Sequence, residues 1–170
     1  MSATNNGLIK ATIGMYKANP HIRVHHGKHF TISHSNKTLA AGEVLTVQLT
    51  TGEKECHAVV DYGLNSIGSI ELLEAPTTSS GTALTAINNN RVSSNVTTAT
   101  IVHTPTVTAD GTLLELKLIE GTGGGQAIGS SGGSRIEFIL KPSTKYLVRM
   151  TNDNNAASRA WVNVSWYEED

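Results

Sequence analysis

At 170 residues and 18.0 kDa, with 38% hydrophobic residues and a formal net charge of −1, the chain is sized for one domain that can bury a core without a covalent staple. Its one cysteine, Cys56, excludes an intramolecular disulfide, and with no Cys-x-x-Cys or Cys/His cluster around it, zinc-ribbon and redox readings fail; a small buried hydrophobe is its expected role. The first thirty residues lack the apolar run of a signal peptide and no run of about 18 apolar residues occurs anywhere, so a soluble protein made inside the cell and kept off membranes is expected, with the sequons at Asn36, Asn95 and Asn163 as chance matches.

Residues 1–20 are polar, rich in Asn, Thr, Ala and Gly, and apolar only at Leu8, Ile9, Ile13, Met15 and Tyr16. This composition predicts an N-terminal arm leading into a domain over 21–170. Charge follows the same division. Up to Gly42 the chain holds Lys10, Lys17, Arg23, Lys28 and Lys37 with no acid, while every Asp and Glu lies beyond. A basic front on an acidic body suits an acidic protein surface; without an Arg cluster or interleaved aromatics, it argues against nucleic acid.

Histidines 21, 25, 26, 29 and 34 are the best candidates for a metal site. Read as a strand, His21, Arg23 and His25 share one face, where the arginine would oppose a cation, and no carboxylate is spaced to join them; no metal is expected. A hydrolase would need an activated serine beside one of these histidines, and no Gly-x-Ser-x-Gly turn exists. The chain is therefore expected not to be an enzyme and to need no cofactor.

Beyond Pro20 the pattern is that of strands. Phe30 and Ile32 alternate with His29, Thr31 and Ser33; Leu45, Val47 and Leu49 alternate with Thr46, Gln48 and Thr50; strands at 56–62 and 70–74 follow. Residues 77–95 read as a long surface connection. Strands at 98–103 and 113–119 flank Asp110-Gly111, a tight-turn dipeptide, and suggest a hairpin-like pair. The glycine-rich tract 121–134 lacks the Lys-Ser/Thr of a phosphate loop and has no helix after it, so it reads as a flexible connection. Three last strands, 135–141, 145–151 and 160–167, should bury Ile136, Phe138, Val148, Val162, Val164 and Trp166 together. By the same alternation Trp161 faces away from that core, under a loop or at an interface.

Eight or nine short strands joined by polar loops, with no helical period, predict an all-β, jelly-roll-like (Greek-key) sandwich with an extended N-terminal arm. The run His21-Ile-Arg-Val-His-His-Gly-Lys-His-Phe-Thr-Ile-Ser-His34, the segment Val102-His-Thr-Pro-Thr-Val-Thr-Ala-Asp-Gly-Thr-Leu-Leu114, and the close from Ile139 to Asn152 and from Val164 to Glu168 together resemble small bacteriophage virion proteins of the head decoration, or cement, type. The resemblance spans roughly residues 20–168 and implies a sandwich on the outer surface of an icosahedral head, where it stabilises the shell by bridging major capsid protein subunits. It carries no catalytic residue; Asp110-Gly111, Pro142 and Trp166-Tyr167 read as turn and core positions.

On this reading the capsid-binding candidates are Leu8, Ile9, Lys10, Ile13, Met15, Tyr16, Lys17, Arg23 and Lys28. Trp161 and Tyr167 are candidates for an oligomer or ligand contact. A homo-oligomer is expected, a trimer before a dimer because three-fold positions abound in icosahedral shells. The competing reading is a tail- or fibre-associated glycan-binding module, in which Trp161 or Tyr167 would stack on a sugar.

Overall fold

The computed structural model describes residues 20–120 and 137–169, of which 61% lie in strands and 4% in helix. One sheet has five strands: β11 (Glu137–Leu140), β3 (Cys56–Leu64), β13 (Ser158–Glu168), β1 (His29–Leu39) and β7 (Ile87–Asn88), in that order. The other has six: β10 (Thr112–Ile119), β4 (Gly68–Glu74), β12 (Lys145–Asn152), β2 (Val44–Thr50), β8 (Thr100–His103) and β6 (Thr82–Leu84). All their pairings are antiparallel.

The period of two places the core. Phe30 and Ile32, Val162, Val164 and Trp166, and Ala58 and Tyr62 point inward from the first sheet; Leu45, Val47, Leu49, Ile70, Leu72, Val148 and Met150 meet them from the second. Val148, Val162, Val164 and Trp166 are buried in one cluster as expected, and Phe138 packs against it half-buried; Ile136 lies outside the described residues. Cys56 is in the core, where burial pushes its thiol far above its ordinary range, so no thiolate is available there.

Three expectations need correction. Residues 20–25 are not extended: α1 (Pro20–His25) is a helix, opened by a proline whose missing N–H costs nothing at the first turn. It closes in a Schellman motif, with Lys28 N donating to Arg23 O at 2.9 Å and Gly27 N to Val24 O at 2.9 Å. Gly27 takes φ 67° there, and a side chain on it would collide with Ser93.

The segment 77–95 is not a bare connection, since it contributes β5 (Thr77–Ser79), β6 and β7. The strands flanking Asp110-Gly111 do not pair with each other: β8 joins β2 and β6, and β10 joins β4. Pro105 ends the first, and β9 (Thr106–Ala109) leaves to pair with β5. Asp110-Gly111 is the two-residue link from β9 into β10, with Gly111 at φ 75°. The β5–β9 ribbon lies over the outer face of the six-stranded sheet, with Thr78 Oγ1 donating to Gln48 Oε1 (2.5 Å) and Lys145 Nζ to Thr78 O (3.0 Å). Arg149 adds a bidentate pair to Asp110, at 2.6 and 3.1 Å. Leu73 and Leu147, side by side on that outer face, are thereby buried as well.

At the rim, His34 of β1 stacks on His103 of β8, ring centroids 4.3 Å apart. Burial, and then the neighbouring imidazole, holds His34 below the ordinary histidine value of 6.5. A base whose folded pKa is depressed takes its proton first in the unfolded chain. Stability is therefore full above the unfolded value and falls as pH drops through it. Denaturant midpoints should decline from about pH 7 to about pH 5, and His103→Gln should make that decline shallower. An unchanged slope in the variant would remove the pair from the account.

Candidate binding surface

Alternation that sends Val162, Val164 and Trp166 inward sends Trp161, Asn163, Ser165 and Tyr167 of β13 to the outer face of the five-stranded sheet. The register sets them beside Gly63, Asp61, Val59 and His57 of β3 and Ser35, Ser33, Thr31 and His29 of β1. The face is polar along its middle, where Thr31 Oγ1 donates to Asn163 Oδ1 at 3.0 Å. It carries an aromatic at each end.

Trp161 is 38% exposed. Its indole lies on the backbone of Gly63, where a Cβ would come within 2.3 Å of Nε1. Lacking a side chain opposite, the strand gives the ring a flat seat and fixes its orientation. Of the two readings for Trp161, an accessible face is the one its position fits.

Tyr167 differs. Its ring stacks on His57 at 4.6 Å and its hydroxyl lies 3.0 Å from His57 Nδ1. His29 stacks at 6.5 Å, and the Arg23 guanidinium sits 5.5 Å from the ring centroid. Burial, and then Glu137, push the phenol up to about 12, so it stays neutral at ordinary pH. Only 5% exposed, Tyr167 is not a platform for an incoming ring.

Arg23, expected at a docking surface because no acid is near it in sequence, is buried and paired with Glu169, 146 positions away. Sequence distance hid the partner. Arg23 therefore clamps α1 to the C-terminal strand. Asparagines hold the helix from its other side: Asn90 Nδ2 donates to His25 O (3.0 Å), Asn95 Nδ2 to His26 O (3.1 Å) and Asn88 Nδ2 to Gly27 O (2.9 Å), satisfying carbonyls that a helix end leaves without partners. The run Asn88-Asn89-Asn90 was the only sequence signal for this clasp, and composition alone does not distinguish a clasp from a polar loop.

Next to the clasp a cleft of about 450 Å³ opens between Lys28, Lys54, the segment 94–98 and Glu168, with Phe30 at its base. Glu168, which the sequence did not single out, accepts Thr98 N at 3.0 Å, Ala99 N at 3.3 Å and the Thr97 hydroxyl. Trp166 Nε1 donates to the same hydroxyl at 3.2 Å. One carboxylate thus pins the loop that forms a cleft wall.

The helical reading of 20–25 also alters the histidines. His21 and His25 lie one turn apart with Nε2 atoms 3.1 Å from each other, and Arg23 points away from them to Glu169. The charge argument against a metal fails at that pair, yet two imidazoles supply half of a tetrahedral shell. Among the described residues, no group of three or more His, Cys, Asp or Glu is placed to hold a metal ion.

Of the sequence candidates, Arg23, Lys28 and Tyr167 come together at one end of the sandwich, and Trp161 lies at the far end of the same face. Leu8, Ile9, Lys10, Ile13, Met15, Tyr16 and Lys17 lie outside the described residues. No family model matches the chain, and no curated protein matches it.

Proposed function

We propose that this protein is a bacteriophage head decoration (cement) protein, made in the bacterial host cytoplasm and bound on the outside of the virion head, where it bridges major capsid protein subunits. The observation that carries the reading is the clasp around α1. A segment that tethers a rigid module to a shell must transmit load into the module. Here the first described helix is locked by Arg23 to β13 and by Asn88, Asn90 and Asn95 to the loop beside it. With Arg23 internally paired, the charged share of docking in this reading falls to Lys10 and Lys17.

Strand order supports a jelly roll within the all-β class. The eight strands β1, β2, β3, β4, β10, β11, β12 and β13 form two four-stranded runs, β1-β13-β3-β11 and β2-β12-β4-β10. We read these two runs as two interleaved Greek keys. Such a module stabilises a closed shell by binding it in many copies, so modest affinity per copy suffices. No nucleic acid, membrane or cofactor enters this reading.

Deleting residues 2–18 should leave the sandwich folded and weaken attachment to undecorated heads by about tenfold or more. Leu8, Ile9, Ile13, Met15 and Tyr16 are each worth about 1 to 2 kcal/mol if fully covered, before the entropy of ordering the segment. Added salt should weaken the charged share further. Equal binding by truncated and full chains at every salt concentration would move the contact to the sandwich.

One observation favours the tail-associated glycan reading: the fixed, accessible indole of Trp161. Glycan-array binding abolished by Trp161→Ala, with density on the tail rather than the head, would replace the capsid assignment.

A further inference from the structure

β10 is the outer strand of the six-stranded sheet, and β4 is its one strand partner among the described residues. An open edge with a row of unpaired backbone groups is ordinarily blunted by proline, by a short length or by exposed charge. Here it is eight residues long, Thr-Leu-Leu-Glu-Leu-Lys-Leu-Ile, without proline; a bulge between Leu113 and Glu115 interrupts it, and the run from Glu115 to Ile119 is regular. Leu113, Leu114, Leu116 and Leu118 are all exposed, Leu118 at 72%. The register puts Leu116 and Leu118 on the outer face, opposite Glu71 and Ser69 of β4. Glu115 and Lys117 lie on the inner side, bridged to each other at 3.1 Å, with the Lys117 ammonium 4.8 Å from the Tyr62 ring centroid.

We propose that the β10 edge is a self-association surface, on which β10 of a second copy pairs antiparallel about a two-fold axis through Leu116. The charge pattern selects that occupant and that register. With Leu116 facing Leu116, Glu115 of each copy faces Lys117 of the other, and Leu114 faces Leu118, each contact occurring twice as an isologous interface requires. Sliding by one residue at each strand sets Glu115 against Glu115 or Lys117 against Lys117 on the axis, and like charges directly opposite repel. The leucines that are exposed in one copy then cover each other, and two six-stranded sheets become one continuous sheet. A two-fold contact takes the place of the trimer expected from shell geometry. It stands independently of the capsid reading, because it concerns the free protein.

Sedimentation of the full chain should give a dimer. Glu115→Lys and Lys117→Glu singly should each weaken it about tenfold or more, since either puts like charges across the axis at two places, and the double exchange should restore it. Register is read by cysteine. In Leu116→Cys the two thiols meet at the axis within disulfide reach and should cross-link on mild oxidation, whereas in Leu118→Cys the two thiols lie four residues apart along the paired strands and should not. All of these substitutions are at the edge strand and can be checked for folding by far-ultraviolet circular dichroism. A monomer at all concentrations, a double exchange no better than the singles, or equal cross-linking at 116 and 118 would overturn the proposal. A trimer without the Leu116→Cys cross-link would overturn it too, and would return the edge to cover by another part of the chain.

Discussion

Val164→Asp is expected to unfold the protein or leave it barely folded. Val164 is buried between the sheets, where it lines an apolar interior void of about 20 Å³ with Val47, Leu49, Ala58, Val60, Leu72, Phe138, Leu140, Tyr146 and Val148. A void of that size holds about one water molecule at most, and none of these side chains carries a charge with which a carboxylate could pair. The new side chain must either stay ionised without solvent or take up a proton, and both cost several kcal/mol against a total stability of about 5 to 15 kcal/mol. Val164→Ala separates charge from packing. It removes two methyl groups and should cost roughly 1 to 3 kcal/mol, leaving a cooperative transition. Urea titrations of both variants check this: an Asp variant with a midpoint equal to that of Ala would mean that water reaches the site.

How far the fold could be read from sequence depended on how far apart the interacting residues lie. Val162, Val164 and Trp166, or Leu45, Val47 and Leu49, announce their inner face by a period that any five consecutive residues display. Trp161 was placed on the opposite face by the same rule. The helix α1 is fewer than two turns long, too short for a 3.6 period to rise above chance. β5, β6, β7 and β9 are two to four residues each and owe their existence to the sheets they extend or cover. Pairing order is non-local throughout: nothing near Thr98–His103 says that it joins β2 rather than the strand after Asp110-Gly111.

The candidate surface divides along the same line. Tyr167 could be put on the outer face with Trp161, but its burial depends on α1, held there by Arg23 and Glu169 from opposite ends of the chain. Glu168 reads as a terminal acid until the loop at Thr97–Ala99 is folded onto it. Charge taken from sequence neighbours therefore overstates what is available at a surface, as Arg23 shows.

Asn152→Leu is expected to cost about 3 to 5 kcal/mol, although the residue lies where the sequence shows only a polar turn. Asn152 is fully buried at the end of β12. Its Nδ2 donates to Leu39 O at 2.9 Å, Ala40 O at 3.0 Å and Ala156 O at 2.9 Å; its Oδ1 accepts Ser66 Oγ at 2.8 Å and Asn154 N at 3.2 Å. One amide thus ties together the turns after β1, β3 and β12. Leucine keeps the branched four-atom side chain but is larger, so overpacking adds to the lost hydrogen bonds, which matter above all at the Leu39 carbonyl of a buried residue. Asn152→Asp gives the finer test. Its second oxygen would face three carbonyls, which repel a carboxylate and accept from a protonated acid's one O–H, so the folded pKa must lie above the unfolded one. An acid shifted in that direction loses stability as pH rises from the unfolded value to the folded value, and recovers it on acidification. The Asp variant should therefore close part of its gap to the parent protein at acid pH while the Leu variant does not. A constant gap for both would mean that the three carbonyls find water once Asn152 is gone, and that the turns are held by their backbone bonds, Gly42 N to Asn152 O at 2.8 Å and Asn152 N to Glu43 O at 3.0 Å.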